Sequence, residues 1–335
     1  MPELNYLYGY IRSRQLEGSY NSDPTIGSWP ISACRVRRGW GAPTFEQWPI
    51  TEKVSKWPHK EEPPNIDIYA KKNRVFAYQR VRSIEECKIA IAYLNPVVIA
   101  LEITSQWINP LNGIISMPKN DERIIGNHCV MLAGYDDKKG TFNFPNSWGE
   151  GWGDKGYGYL PYEYVERYIQ EAWVLIYHKS SHKPEPKSGN YEIKWGIYPI
   201  LNGPYLHGIE YRNTLSDDRK AWAFALDYDG YLNVEELFVM PKYRHKGLAG
   251  ELFKNLHNLS DKLSLPLRVW ISHADIGNEN MQIIDHLAHE NRLSLSYATV
   301  RWASYKMQDE GFQAFRNTSS KRSDNSFPSS RTLPM

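Results

Sequence analysis

His128 and Asn146 have the types that proton-transfer chemistry uses as a pair: an imidazole that takes and returns a proton, and a side-chain amide that orients the ring. His128 lies in Gly126-Asn127-His128-Cys129-Val130-Met131-Leu132-Ala133-Gly134-Tyr135-Asp136. Asn146 lies in Asn143-Phe144-Pro145-Asn146-Ser147-Trp148-Gly149-Glu150-Gly151-Trp152-Gly153. Thiol chemistry would add a thiolate to this pair. The chain offers three cysteines, Cys34, Cys87 and Cys129. A second constellation is of another kind. Arg244, Lys246, Gly247 and Ala249 come after the apolar run Leu237-Phe238-Val239-Met240-Pro241 and precede an amphipathic stretch. Small residues let backbone N–H groups approach a pyrophosphate, and the start of a helix presents its positive dipole end to it.

The elements that must hold these groups can be read from periodicity. Leu4 to Leu16 reads as a helix with Leu4, Leu7, Tyr8 and Ile11 on one face. Ser83 and Glu86 have capping-box spacing and open a helical run through Leu94, which Pro96 stops. Val97 to Ile103 reads as a buried strand. His128 to Tyr135 and Gly140 to Phe144 read as antiparallel strands around Asp136-Asp137, and Gly156 to Leu160 as a third. His128 and Asn146 then meet across a sheet, and Cys129, next to His128 on a strand, points to the opposite face. Cys87 falls in the helical run and reads as core. Cys34 sits in Ser32-Ala33-Cys34-Arg35-Val36-Arg37-Arg38. Arginines can lower a thiol's pKa, but this run reads as a solvated charge cluster on a helix. Further on, Ala221 to Tyr228 and Leu232 to Val239 read as strands around Asp229-Gly230. A helix from the Pro241–Gly247 loop to about Leu263, a strand from Leu267 to His273, a helix from Glu279 to Asn291 and final strands from Leu293 to Met307 complete a mixed sheet.

Composition bounds the class. In 335 residues, 41% are hydrophobic and 23% charged, the proportions of a soluble globular chain long enough for two cores. No apolar run approaches the ~20 residues of a membrane span. A net charge of +2 gives no reason to expect nucleic acid or an anionic membrane as partner. The start, Met1 to Asn5, has neither basic n-region nor apolar core, so no signal peptide is expected. Three cysteines without close-pair spacing argue against a disulfide framework and a metal site, and fit a reducing, cytoplasmic setting.

The His128 and Asn146 segments resemble those of papain-like cysteine peptidases. The Asn-Ser-Trp-Gly and Gly-Trp-Gly order carries the resemblance. It implies that His128 is the base, Asn146 its orienting group, and Trp148 the cover that keeps water from their hydrogen bond. It covers residues 1–178. The family places its nucleophile on a first long helix in a Gly-x-Cys-Trp context with an oxyanion-hole Gln just before it, and neither motif is present. Tyr6 to Ile11 resembles the segment after that helix in the family, and Ala33 to Pro49 the next helix and turn.

The run from Val234 to Leu252 resembles the coenzyme A motif of GNAT acyltransferases, with Arg244, Gly247 and Ala249 in the signature positions. This resemblance implies acetyl-CoA as cofactor. Leu237, Phe238 and Val239 would pair with the pantetheine arm, and Arg244, His245, Lys246, Gly247, Leu248, Ala249 and Gly250 would cradle the pyrophosphate. Asn278 or Asn280 would approach the cofactor from the next helix. Direct attack by an amine needs a base, for which Glu235 and Glu236 are placed, strand alternation admitting only one to the cleft. The helix from Glu279 to Asn291 lacks the Tyr that the family often uses as acid, which leaves Tyr297 and Tyr305.

The expected architecture is therefore α+β. A partial papain-like peptidase domain spans 1–178. The polar, proline-containing run 179–190 is a linker, 191–312 is a mixed-sheet α/β GNAT-like domain, and 313–335 is a disordered tail. The expected function is acetyl-CoA-dependent N-acyl transfer to a peptide or small amine, with a peptidase-derived first domain. Two rivals are a bifunctional peptidase and acetyltransferase whose catalytic Cys lies upstream, and an acetyltransferase with a peptide-binding pseudopeptidase module. The second domain is expected to fold alone and the first, lacking its central helix, to be poorly stable.

Overall fold

The computed structural model describes residues 4–19, 27–50, 62–119, 122–177, 188–193, 197, 205–213 and 215–269. Asn278, Asn280, Tyr297, Tyr305, the elements expected beyond Val269, the tail from 313 and linker residues 179–187 lie outside the described residues. Three linker positions do not: the Ser188 hydroxyl donates to Arg212 O at 2.8 Å, and Gly189 and Asn190 already belong to a strand.

The first part opens with helices. In α1 (Tyr6–Leu16) the N-cap Asn5 accepts from Tyr8 N–H at 2.9 Å while its amide donates to Trp48 O, which ties the helix start to a later turn. Tyr8 and Ile11 are buried, and the Tyr8 hydroxyl donates to Asp67. α2 (Pro30–Gly39) starts on a proline, whose fixed φ suits the first helical turn. α3 (Ile66–Ala70) comes next. In α4 (Ile84–Tyr93) the Ser83 hydroxyl accepts from Glu86 N–H, and the Glu86 carboxylate returns to Arg82 N–H, one residue before the expected capping-box position.

Two antiparallel sheets carry the site. The first has the order β1-β7-β2-β3, from β1 (Ala77–Arg80), β2 (Val97–Thr104), β3 (Ile124–Leu132) and β7 (Ile169–Ile176). The second is β4-β5-β6, from β4 (Gly134–Asp136), β5 (Thr141–Pro145) and β6 (Tyr157–Pro161). The strand expected from His128 to Tyr135 is thus divided. The chain leaves one sheet at Ala133, whose N–H donates to Asn143 O at 2.9 Å, and joins the other. Ile99, Leu101, Phe142, Phe144, Leu160 and Val165 of α5 (Tyr162–Tyr168) close a common core with α4.

The second part is one sheet, β12-β11-β10-β9-β8, from β8 (Gly189–Ile193), β9 (Leu206–Asn213), β10 (Asp218–Tyr228), β11 (Tyr231–Val239) and β12 (Leu267–Val269). All pairs are antiparallel except β11 and β12, which are joined in parallel through α6 (Leu248–Leu263). The β10–β11 hairpin turns at Asp229 (φ 57°) and Gly230 (φ 74°), the two positive φ values of a type I′ turn. One face of the sheet packs on Leu252, Phe253 and Leu256 of α6.

The other face packs on the first part, so the two do not stand apart as expected. Trp222, Phe224, Phe238 and Met240 share a core with Ile31, Cys34, Phe76, Tyr78 and Trp173. Burial of each such side chain is worth about 1.5–3 kcal/mol. Charges cross the same seam. Arg35 binds Glu236 with two nitrogens at 2.9 and 3.0 Å, and Arg82 pairs with Glu235. Arg38 meets Glu210 at 3.0 Å and donates to Phe76 O, and Arg219 donates to Arg38 O and Val75 O at 2.7 Å. The charge cluster read as solvated on α2 is therefore buried: Arg35 is 4% exposed and Arg38 1%. Its carboxylate partners lie far along the sequence, where local patterning cannot reveal them.

Candidate active site

His128 sits in the middle of β3, opposite Leu101 of β2. Asn146 stands just past the end of β5, with its N–H donating to Gly156 O at 2.8 Å, so the two sheets bring imidazole and amide together. His128 Nε2 and Asn146 Oδ1 are 2.9 Å apart. The same Oδ1 accepts from Ser147 N–H at 2.9 Å. A backbone N–H can only donate, so this second bond fixes that atom as the acceptor and His128 Nε2 as the protonated nitrogen. In the neutral ring Nδ1 then carries the lone pair, and it bonds no other described residue.

Three indoles enclose the pair. Trp148 lies with its ring centroid 5.0 Å from that of His128, tilted by 33°. Trp107 meets His128 edge-on at 5.7 Å. Trp152 packs on both and donates through Nε1 to Trp107 O at 2.7 Å. Gly158 permits this arrangement, because a Cβ there would lie 2.4 Å from Phe144 and 2.7 Å from Trp152. Sequence reasoning misses Trp107. It stands in a short turn after β2, where no periodicity marks it; the one available signal is a large aromatic residue directly after a buried strand.

No cysteine completes the site. Cys87 is fully buried in the first core, and Cys34 lies in the seam. Burial, with Glu171 and Glu236 nearby, pushes the Cys34 thiol well above the ordinary range. Cys129 lies on the other face of β3, in register with Ala100 and, one strand further, Glu171. The residue is exposed as a whole, but packing around the thiol, helped by that carboxylate, pushes it up to about 12. None of the three is hydrogen-bonded to His128.

The model of the family described as papain family cysteine protease matches residues 26–173. By this match the stretch is papain-like. Over 188 residues the chain is 28% identical to an uncharacterized peptidase C1-like protein of Acanthamoeba polyphaga mimivirus, covering 50% of this chain and 57% of that protein. It is 26% identical over 144 residues to cysteine proteinase 3 of Solanum lycopersicum, covering 42% and 39%. The chain thus spans about half the length of these curated relatives. Among solved structures, xylellain, a cysteine protease from Xylella fastidiosa, is 25% identical with a TM-score of 0.48, covering 52% of this chain and 70% of that one. The family match ends in β7, so the sheet from β8 onward stands on its own geometry.

In that sheet the expectation for Glu235 and Glu236 fails. Phe224 pairs with Glu236 and Ala225 with Val234, so Glu235 is the extra residue of a β-bulge. A bulge breaks alternation, and both carboxylates meet arginines of the papain-like domain, Glu235 with Arg82 and Glu236 with Arg35. Tyr78 also donates to Glu236, at 2.9 Å. Neither is available as a base in an open cleft. Leu237 and Val239 face α6 and Phe238 faces the seam. The loop after them is open. His245 (φ 57°) and Gly247 (φ 77°) are left-handed, and the start of α6 has no side-chain cap, which leaves its first N–H groups toward solvent. His245, Lys246, Gly247 and Gly250 are exposed, and a Cβ at Gly247 or Gly250 would meet nothing within 4 Å. The Arg244 guanidinium is held by Val239 O at 3.3 Å, while Leu248 and Ala249 are half-buried.

No group of three or more His, Cys, Asp or Glu able to hold a metal occurs among the described residues. No helix among them is long and apolar enough to cross a membrane.

Proposed function

We propose that the papain-like domain holds the base and the orienting group of a thiol-peptidase centre without its thiol, so that this chain by itself engages peptide and breaks no peptide bond. The observation that carries this is the 2.9 Å His128–Asn146 bond, with Nδ1 bonded to no described residue and no cysteine beside it. Trp148 shields the bond from water, which strengthens it. A base without a nucleophile cannot form the covalent intermediate on which thiol catalysis depends. The names of the curated relatives, a cysteine proteinase and a peptidase-like protein, motivate peptide as the ligand class. In the bifunctional form of this reading, a segment outside these 335 residues brings the thiol to Nδ1. Incubation with a thiol-directed peptide epoxide, then intact mass, tests the proposal. The chain should acquire no adduct that depends on His128. A stoichiometric adduct on Cys34 that vanishes in His128→Ala overturns it.

A second reading is favoured by the loop at the start of α6. Open N–H groups, small residues and the cations Arg244 and Lys246 suit the pyrophosphate of coenzyme A. β11 runs on through Leu237, Phe238 and Val239 to the side of this loop. Bound acetyl-CoA would supply an activated acyl carbon to an amine acceptor, and a group other than Glu235 or Glu236 would take the amine's proton. Calorimetric titration of the full chain with coenzyme A should give binding that Gly247→Glu removes. Gly250→Glu repeats the test without placing a side chain at positive φ. Equal affinity in wild type and both variants overturns this reading.

A further inference from the structure

The bulge at Glu235 gives β11 a property that its sequence neighbours do not explain. Two consecutive carboxylates are turned toward one face and are almost fully buried, their side chains 3% and 1% exposed. Burying one unpaired carboxylate is already costly, and two adjacent ones repel as well. The arginines that pair with them come from the papain-like domain: Arg35 from α2, with a two-nitrogen grip on Glu236, and Arg82 from the turn between β1 and α4, on Glu235. Tyr78 of β1 ties the arrangement down, donating to Glu236 at 2.9 Å and accepting from Trp222 Nε1 at 2.9 Å. Among the described residues, the counter-charges that face this bulge therefore come from the papain-like domain. Immediately beyond the bulge lie Leu237 to Val239 and the loop into α6.

We propose that Arg35 and Arg82 are positioning residues that lock the β11 bulge from across the seam, so that the papain-like domain sets the geometry of the strand end and of the loop that receives coenzyme A. The proposal rests on the second reading above for its ligand, and on the seam alone for its lock. It gives the peptidase-derived domain a task that needs no nucleophile.

The test uses the full chain with Arg35→Met, Arg82→Met, and the neutral pairs Arg35→Met/Glu236→Leu and Arg82→Met/Glu235→Gln. Two readouts are taken: hydrogen exchange of the amides from Leu237 to Val239, and coenzyme A affinity by calorimetry. Each single variant removes the arginine from one buried carboxylate, so exchange should rise and affinity fall by about tenfold, the scale of coupling within such networks. The neutral pairs should recover both, because an apolar or neutral replacement of a buried pair is often tolerated. A merely structural arginine would lower thermal stability without separating Leu237–Val239 exchange from that of β3. Unchanged exchange at 237–239 in the single variants overturns the lock, as does failure of both neutral pairs to recover it. If a single variant does not fold, its neutral pair decides: wild-type exchange supports the lock, raised exchange sinks it. If the wild-type chain binds no coenzyme A, the ligand reading fails, and the exchange arm still judges the lock.

Discussion

The two polar constellations of this chain differ in what their neighbours leave open. At His128 a single hydrogen bond to Asn146 lies beside Trp107 and Trp148, and the other ring nitrogen bonds no described residue. At the seam, charged groups are paired and buried, with Arg38, Glu210, Arg212 and Arg219 joined in one network. The first arrangement is poised for chemistry and contributes little to the fold. The second holds the fold and is closed to chemistry. Polar residues under a sheet thus say little about function until their partners are counted, and Glu235 and Glu236 are the case in point.

The largest expected effect breaks the closed side. Glu210→Ala leaves Arg38 and Arg219 buried beside a missing carboxylate, a class of change that costs about 3–5 kcal/mol. Because the core is shared, unfolding of both parts should move together in a denaturant titration monitored by circular dichroism and tryptophan fluorescence. A variant in which the second sheet melts while first-part signals stay in place would dissolve the contrast.

A smaller effect tests the rim of the seam through pH. Lys71 of the first part and Lys242 of the loop before α6 both contact Asp218, at 2.7 and 3.4 Å. Burial raises the Asp218 carboxyl, but the bond to Lys71 and the charge of Lys242 outweigh it and hold its pKa at about 2. A depressed folded-state pKa gives stability that is present above the unfolded value near ~3.9 and is lost as pH falls through the folded one. Asp218→Asn should cost up to about 2 kcal/mol at neutral pH, and its gap from wild type should narrow steadily as pH falls from about 5 toward about 2. A gap independent of pH would mean that the carboxylate's charge is not what joins the parts.

The smallest effect in energy is the sharpest in kind. Asn146→Ala should change stability by only about 1 kcal/mol. It should nonetheless release the histidine tautomer, read as a shift of proton occupancy between Nδ1 and Nε2 in the nitrogen spectrum of His128. Trp148→Ala should leave the tautomer in place and expose the Nε2 proton to faster exchange. An unchanged tautomer in Asn146→Ala would show that the amide does not orient the ring.

Much of the open side is legible in the sequence. His128, Asn146 and Trp148 are close in the chain and carry a recognisable order, and local periodicity places α1, α4, β2 and the β10–β11 hairpin near their observed limits. The closed side is not legible. Arg35 and Glu236 are separated by most of the chain, and helical periodicity reads arginines as solvent-facing unless their partners are known. The bulge escapes for a related reason. Strict alternation is the only rule a strand sequence offers, and no residue in Val234-Glu235-Glu236-Leu237 announces its exception. Trp107 escapes because a turn has no period to break.

The three thiols stand at three depths: Cys129 on an exposed face, Cys34 beneath the seam and Cys87 inside the first core. The chain thus carries its own opening gauge. A thiol reagent should label Cys129 first, slowly at neutral pH because its thiolate is scarce. Cys34 should respond when the seam parts, and Cys87 only when the papain-like core itself unravels. The order in which the three labels arrive would separate loss of docking from loss of fold without any change to the sequence.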